Sequence, residues 1–158
     1  MDKIFHRLND SEDYVTGNGL LLWGLSFFKS YQCIKRETSS EFYPVNYYLL
    51  GHCLELLMKG KLRNEGFSIE KLKFKYAHNL SKLQEELEMI RAISFSPIEK
   101  QAIFAINEYY NVKEFEYFGS VGVGLPVMKD LEDIIIKCAK KFGIAARTVD
   151  EISKRDLK

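Results

Sequence analysis

The sequence is poor in proline, with three residues in 158, where an average usage of about 5% would give roughly eight. Proline interrupts helices because it lacks a backbone N–H and its ring clashes with the preceding turn. Pro44, Pro97 and Pro126 all fall at or near the start of a helical pattern, where proline is tolerated. The scarcity of proline therefore favours long, uninterrupted helices.

The sequence also lacks an excess of charge of either sign. It has 23 Lys and Arg against 22 Asp and Glu, for a formal charge of +1. This balance argues against non-specific binding to nucleic acid or to anionic membranes, because both need a broad basic surface. The 46% hydrophobic and 28% charged residues are typical of an ordinary globular domain.

Cysteine is scarce and shows no pairing pattern. Cys33, Cys53 and Cys138 are widely spaced and form no C-x-x-C motif, which argues against a disulfide framework and a zinc site. Each lies in an apolar helical pattern, so we predict three buried, reduced thiols. The three histidines lack an accompanying metal-binding motif, and the sequence predicts neither a metal site nor a cofactor.

No apolar run is long enough to cross a membrane. The longest, residues 20–28, is interrupted by Gly24 and Ser26 and falls well short of the roughly 20 residues that a span needs. Residues 1–7 carry charges where a signal peptide needs an apolar segment. We therefore expect a cytoplasmic protein with no membrane partner.

The hydrophobic residues that are present recur every three or four positions, which is the period of an amphipathic helix. The pattern predicts helices over about residues 17–36, 44–64, 79–91 and 126–142, and one that begins with a capping box at Ser96–Pro97. We predict an all-α fold, an up-down bundle of about five helices in a single domain over residues 1–158. Its core lies at about 11–143, and the charged tail, 144–158, either forms a short helix or frays.

Two regions of this bundle carry more specific expectations. The apolar face of the first helix is wide enough to contact two neighbours, one of which can be another subunit, so we expect a homodimer. Residues 111–124 are rich in glycine and aromatic residues and are expected to form a long ordered loop. The predicted inward face of the helix that precedes this loop consists of Ile98, Ala102, Ala105, Ile106 and Tyr109.

A polar strip follows one face of the otherwise apolar second helix. Tyr48, His52, Glu55 and Lys59 are spaced i, i+4, i+7 and i+11 and so share that face. Glu55 lies among leucines, where an unpaired carboxylate would be costly to bury, so we expect it to have a partner. Two interpretations are open: an ion pair with Lys59, four residues on, and a polar strip that lines a cleft for an anionic ligand.

His78 lies between a basic segment and the predicted start of the third helix. Lys71, Lys73 and Lys75 precede it, and Asn79 follows it as the predicted N-cap. His78 is interpreted either as a packing residue that fixes the connection or as a ligand contact beside a helix N-terminus, a place that favours anions such as a nucleotide or RNA phosphate.

No motif specifies catalysis. Residues 119–124 contain three glycines but lack the Gly-Lys-Ser/Thr ending of a phosphate-binding loop, which favours a flexible connection. No Ser-His-Asp or Cys-His arrangement can be argued from the spacing. We assign no catalytic residue.

Two segments carry a family resemblance. The first, residues 47–62 (YYLLGHCLELLMKGKL), resembles the second-helix signature of HEPN domains (higher eukaryotes and prokaryotes nucleotide-binding), with a small residue, Leu-Glu, and Lys four residues after the Glu. The second, residues 78–83 (HNLSKL), is similar to the family's His-Asp-Leu-x-x-Leu, with Asn79 in place of Asp. Both residues serve as helix N-caps.

The resemblance implies a helical bundle that forms homodimers and acts on or near nucleotides or RNA. Some HEPN proteins are metal-independent ribonucleases of toxin–antitoxin and phage-defence systems, and others accompany small nucleotidyltransferases. The ribonucleases carry Arg, four to six residues and then His late in the domain, but no histidine follows His78 in this chain. Glu116 stands where many nucleotidyltransferase-associated members have the Arg of an Arg-Tyr-Pro-like sequence.

The resulting hypothesis is a non-catalytic, HEPN-like dimer that binds a nucleotide, RNA or a partner protein such as a nucleotidyltransferase. The alternative is a ribonuclease of the toxin or phage-defence type that uses His78 in an atypical active site. The candidate residues of a ligand-binding cleft are His52, Glu55, Lys59, His78 and Asn79. We expect Glu55 and Lys59 to organise the helix core and the other three to lie at the rim.

Overall fold

The computed structural model describes residues 14–37, 44–117, 124–144 and 148. All regular structure in these residues is helical, which confirms the predicted all-α class. The helices are α1 (Gly17–Glu37), α2 (Pro44–Asn64), α3 (Ile69–Lys71), α4 (Leu80–Met89), α5 (Pro97–Tyr110), α6 (Glu114–Tyr117) and α7 (Met128–Lys141). A π-helical turn, Leu72–Tyr76, continues directly from α3.

Helices α1 and α2 form an antiparallel pair with the most extensive contact in the fold. Glycines allow this contact to be close. A Cβ atom at Gly60 would lie 2.8 Å from the Gly17 carbonyl oxygen, and one at Gly24 would lie 3.2 Å from that of Cys53. Because residues 17 and 60 meet at one end and residues 24 and 53 further along, the two helices run in opposite directions.

Helix α2 lies at the centre of the bundle. Thirteen of its 21 residues are buried, and it contacts α1, α4, α5, α6 and α7. A helix surrounded in this way is expected to be apolar on all sides, which accounts for the nearly continuous apolar run over residues 47–58. The elements packed around α2 therefore determine the surroundings of any polar residue on it.

Several helix ends are formed by the predicted residues. Pro44 is the first residue of α2. The Asn79 side chain accepts a hydrogen bond from the backbone N–H of Lys82, 2.9 Å away, and so caps α4. Ser96 and Glu99 form the predicted capping box at the start of α5.

The described chain contains more helices than the five predicted. Residues 67–78, expected to be a short connection, contain α3 and the π-helical turn, and residues 111–124 contain α6 rather than a loop alone. These elements are too short to show a helical period. The buried side chains of Ile69 and Phe115 anchor them to the core. Residues 118–123, including most of the glycine-rich segment, lie outside the described residues.

The predicted inward face of α5 was partly wrong. Ile98 is 71% exposed, and Ala105 and Tyr109 are only half-buried. The buried residues of the helix are Ala102, Ile103, Ile106, Asn107 and Tyr110. The error arose because the buried face includes the polar residue Asn107, whose side-chain oxygen accepts a hydrogen bond from the Leu80 N–H at 2.7 Å.

The prediction of three buried thiols holds for two. Cys53 and Cys138 are buried, whereas Cys33 is exposed. Each helical residue is rotated by roughly 100° from the one before it, so Cys33 faces away from the side of α1 that buries Tyr31. An apolar helical pattern around a cysteine is therefore insufficient to predict its burial.

The described residues test the membrane and tail predictions only in part. No helix in the described part of the chain is both long and apolar enough to cross a bilayer. Of the tail, 144–158, only residues 144 and 148 are described, so the short helix considered there lies outside the described residues.

Candidate functional site

The site is built around a buried carboxylate in the middle of α2. Glu55 is 3% exposed and lies between Leu54 and Leu56, both of which belong to the buried part of the helix. Burying a charged carboxylate costs several kcal/mol or more unless hydrogen-bond donors replace the lost water. The partners of Glu55 therefore determine whether the helix can hold it.

Four side chains from three parts of the chain surround this carboxylate. Lys59 Nζ lies 2.6 Å from Oε1, and the Tyr110 hydroxyl and His78 Nδ1 lie 2.5 and 3.1 Å from Oε2. His52 Nδ1 is 3.6 Å from Oε2. We call these five residues the Glu55 cluster. The prediction that Glu55 has a partner is confirmed, but the ion pair with Lys59 is only one part of the arrangement.

The cluster keeps Glu55 ionised. Burial alone would raise its pKa, but the neighbouring His52 imidazole, the charge and hydrogen bond of Lys59 and the Tyr110 hydroxyl together hold the pKa well below its usual range. Burial and the nearby charge of Glu55 raise the pKa of Tyr110. Tyr110 is therefore a neutral hydroxyl that donates to a charged carboxylate, and it is a poor candidate for a general base.

These bonds also assign the protons of the two imidazoles. The single hydroxyl proton of Tyr110 is donated to Glu55, so its oxygen accepts from His52 Nδ1, 2.8 Å away. An ionised Glu55 has only acceptors, so His78 Nδ1 donates to it. Neither Nε2 atom bonds a described residue. The His52 side chain is 24% exposed and that of His78 is 42% exposed, so both imidazoles reach solvent.

An unusual backbone segment places His78 over Glu55. After the π-helical turn, Ala77 has φ 45° and ψ −117°, a conformation that disfavours any residue with a Cβ. The Ala77 carbonyl oxygen accepts a hydrogen bond from Lys59 Nζ at 2.5 Å, and the Asn79 N–H donates to Tyr76 at 2.8 Å. π-helical turns and strained residues occur often at functional sites, since only tertiary contacts can maintain them.

Tyr110 was missed by the sequence interpretation. That interpretation placed Tyr109 on the inward face of α5, one residue away from the side chain that reaches Glu55. Gly51 allows the approach, because a Cβ there would lie 2.7 Å from the Tyr110 ring. A glycine beside a predicted polar strip was the available signal that a bulky group from another helix crosses α2 at this level.

Asn79 and the α4 N-terminus already have partners within the protein. The Asn79 side chain accepts from Lys82 N–H, and Asn107 accepts from Leu80 N–H. A ligand anion would have to displace these side chains in order to bind the first amides of α4. The structure brings Asn79 next to His78 but gives it the geometry of a helix cap, so the proposed anion contact at this helix terminus is disfavoured.

Lys59 is also committed to internal contacts. Its ammonium binds both Glu55 and the Ala77 carbonyl, and its side chain is only 12% exposed. Lys59 therefore neutralises the buried carboxylate and positions the backbone before His78. The groups of the cluster that remain available to a ligand are the outward nitrogens of His52 and His78.

Four of the surface cavities of the described residues, about 230 to 520 Å³ in volume, are lined by parts of the chain other than the cluster. Aromatic rings lie beside His52: Phe27 meets it edge-on at 4.4 Å between centroids, and Tyr48 stacks on it at 5.7 Å. The partly exposed His52 imidazole therefore lies beside aromatic rings.

A second buried carboxylate lies between α7 and α1. Glu132 is 2% exposed, binds Lys35 Nζ at 2.7 Å and accepts a hydrogen bond from the Tyr31 hydroxyl. Among the described residues no histidine contacts it, and no group of three or more His, Cys, Asp or Glu could hold a metal ion there or elsewhere.

The chain matches no protein-family model, and no curated protein or solved structure is significantly similar to it. The HEPN resemblance accordingly rests on the two sequence segments alone.

Proposed function

We propose that this chain is a non-catalytic, HEPN-like helical bundle that binds RNA through the outward nitrogens of His52 and His78. The observation that carries the proposal is that one ionised, buried carboxylate orients both imidazoles, His78 directly and His52 through the Tyr110 hydroxyl. An imidazole held in this way presents Nε2 to solvent, and when the ring carries both protons that Nε2–H is a charge-assisted donor to a phosphate oxygen.

The exposure of both imidazoles and the aromatic rings beside His52 support RNA as the ligand. A single strand of RNA lies along a surface and combines phosphate contacts with base stacking. The exposed Lys73 and Lys82, which make no ion pair with a described residue, add positive charge in the segments on either side of His78.

The internal contacts of Lys59 argue for RNA binding rather than RNA cleavage. Cleavage of a phosphodiester builds negative charge on phosphate oxygens, and a freely directed Lys or Arg is a common means of stabilising it. Lys59 is held by Glu55 and by the Ala77 carbonyl. The chain also lacks the Arg-to-His spacing that the resemblance associates with ribonuclease activity.

The test is the affinity of the full chain for a fluorescently labelled single-stranded oligoribonucleotide, measured by anisotropy. His52→Gln and His78→Gln should each weaken binding about tenfold, the effect of losing one charge-assisted hydrogen bond.

The matched control is Lys140→Gln, which removes an exposed charge from α7. An equal loss in this variant would indicate general electrostatic attraction and contradict a site at the histidines. The absence of binding by the unmodified chain would refute the proposal as a whole.

The second candidate function is a ribonuclease that uses His78, and the contact between His78 and the Glu55 carboxylate is what favours it. In such a reaction an imidazole takes the proton of the RNA 2′-hydroxyl as that oxygen attacks phosphorus, and a protonated imidazole gives a proton to the leaving 5′-oxygen. Incubation with total RNA separates the two functions. Cleavage that disappears in His78→Ala would replace the binding proposal with this one.

The proposal includes a homodimer formed through α1. Leu22 is 61% exposed on this helix, although Leu21 and Leu25 beside it are buried. Light scattering should give a molar mass near twice 18.4 kDa, and Leu22→Glu should reduce it to that of one chain. Val45→Glu, an equally drastic change at an exposed residue of α2, should leave the dimer intact. A monomeric unmodified chain would contradict this part of the proposal.

A further inference from the structure

We propose that Trp23 is the platform on which a base of the bound RNA stacks. This inference rests on the proposed RNA binding and assigns the part of the ligand that the histidines do not contact. It makes Trp23 a binding residue, although it belongs to neither of the two sequence segments that resemble HEPN domains.

Helix geometry places Trp23 next to the histidine site. Trp23 and Phe27 are four residues apart on α1, so their Cβ atoms lie about 6 Å from each other on the same side of the helix. The Phe27 ring contacts His52 edge-on at 4.4 Å, and the Tyr48 ring stacks on the same imidazole at 5.7 Å. Trp23 thus continues the row of aromatic rings that passes through one of the phosphate-binding groups.

Trp23 is held in an exposed position. Its side chain is 64% exposed, an unusual state for the largest apolar residue type, and it is the single tryptophan of the chain. Rotating α1 to bury Trp23 would move Gly24 away from its contact with the Cys53 carbonyl, where any Cβ would be only 3.2 Å away. The close packing of α1 against α2 therefore keeps Trp23 in solvent.

The exposure of Trp23 and its position near the histidine site are suited to base stacking. A tryptophan on a helix is already ordered, so a base that stacks on it costs little side-chain entropy. Base–aromatic stacking is tolerant of sequence and adds to phosphate contacts, which compensates for the absence of a broad basic surface. The expected ligand is therefore single-stranded RNA with accessible bases, and a duplex should bind more weakly.

The experiment uses two readouts on the full chain. Since Trp23 is the only tryptophan, its fluorescence reports the stacking directly and should be quenched as oligoadenylate is added. In anisotropy titrations, Trp23→Ala should weaken binding of oligoadenylate at least fivefold, whereas Trp23→Phe should retain most of the affinity. Phe104→Ala, which removes a 58% exposed aromatic residue from α5, is the matched control and should change little.

An abasic oligonucleotide of the same length distinguishes stacking from phosphate binding. Trp23→Ala should not weaken its binding, because there is no base to stack. The inference is overturned if oligoadenylate binds the unmodified chain without quenching its fluorescence and binds Trp23→Ala with unchanged affinity. That result would leave the proposed function standing. Loss of the dimer in Trp23→Ala, with RNA affinity unchanged, would assign Trp23 to the subunit interface instead. If the unmodified chain binds no RNA, the proposed function fails and this inference fails with it.

Discussion

The protein contains two buried glutamates that are held by the same kinds of group. Glu55 on α2 and Glu132 on α7 each bind one lysine ammonium and one tyrosine hydroxyl, and both are about 97% buried. The lysines differ: the Lys59 side chain is 12% exposed, whereas that of Lys35 is 44% exposed. Within the described part of the chain, only Glu55 also has histidines beside it.

This difference separates what a carboxylate needs for burial from what exceeds that need. Glu132 indicates that one ammonium and one hydroxyl are sufficient to keep a glutamate inside this fold. The two imidazoles at Glu55, one of them positioned by a strained backbone, are therefore not required for burial. Their presence is the strongest argument for a function of the Glu55 cluster beyond stability.

The largest expected effect comes from removing each glutamate. Glu55→Ala should lower the free energy of unfolding by about 3–5 kcal/mol, because Lys59 is left charged and nearly buried. Glu132→Ala should cost about 1–3 kcal/mol, because the more exposed Lys35 can be hydrated. Urea denaturation followed by circular dichroism measures both values. Equal losses would show that the exposure of the lysine does not distinguish the two sites.

Removing the hydroxyl donors should separate stability from binding. Tyr110→Phe and Tyr31→Phe each delete a hydrogen bond to a charged group and should cost about 1.5–3 kcal/mol of stability. Only Tyr110→Phe also removes the acceptor of His52 Nδ1, so only this variant should weaken RNA binding. Anisotropy on both folded variants tests this, and weaker binding by Tyr31→Phe would contradict it.

Low pH should reduce the stability that the Glu55 cluster gives to the fold, because the pKa of Glu55 is lower in the folded protein than in the unfolded chain. The folded protein holds the pKa of Glu55 well below the 4.5 of the unfolded chain, through the neighbouring His52 imidazole, the charge of Lys59 and the Tyr110 hydroxyl, which together outweigh burial. The stabilisation is therefore complete above about pH 4.5 and is lost as the pH falls towards the folded pKa, because the unfolded chain binds the proton first.

The comparison variant is Glu55→Gln, which keeps the shape of the side chain but cannot take up a proton. His52, Lys59, His78 and Tyr110, the groups that face this side chain, are unchanged in it. Its midpoint of thermal unfolding should fall less steeply than that of the unmodified chain between about pH 5 and pH 3. Parallel pH profiles for the two proteins would mean that the other carboxylates account for the acid sensitivity.

The smallest expected effect is at Ala77. Ala77→Gly relieves a conformation with φ 45° that disfavours a Cβ, so it should cost less than about 0.5 kcal/mol of stability or raise stability slightly. Ala105→Gly, at an ordinary position of α5, should be destabilising by about 0.5–1 kcal/mol. Thermal unfolding compares the two. A loss at Ala77 larger than that at Ala105 would mean that the segment before His78 is not strained.

The sequence was sufficient for the parts of the fold that depend on local signals. Pro44, Asn79 and the Ser96 capping box fix helix ends through contacts within one turn, and those ends were predicted correctly. The face of α5 was not, because its burial depends on Asn107 reaching Leu80 on a different helix. The π-helical turn is held in the same non-local way, through the bond from Lys59 to the Ala77 carbonyl.

In the candidate site, too, the residues set by local spacing were predicted and those set by contacts between helices were not. Spacing along α2 was enough to place His52, Glu55 and Lys59 on one face, and burial cost was enough to require a partner for Glu55. Tyr110 came from outside this pattern, since its role depends on α5 crossing α2 at Gly51.

The three cysteines allow the opening of the helical bundle to be followed by thiol labelling. Cys33 is exposed, while burial raises the pKa of Cys53 and Cys138 and keeps both sulfurs away from solvent. A thiol reagent should therefore modify one site on the native chain and the other two only when α2 and α7 separate. The rate at which the second and third labels appear measures how often the centre of the bundle opens.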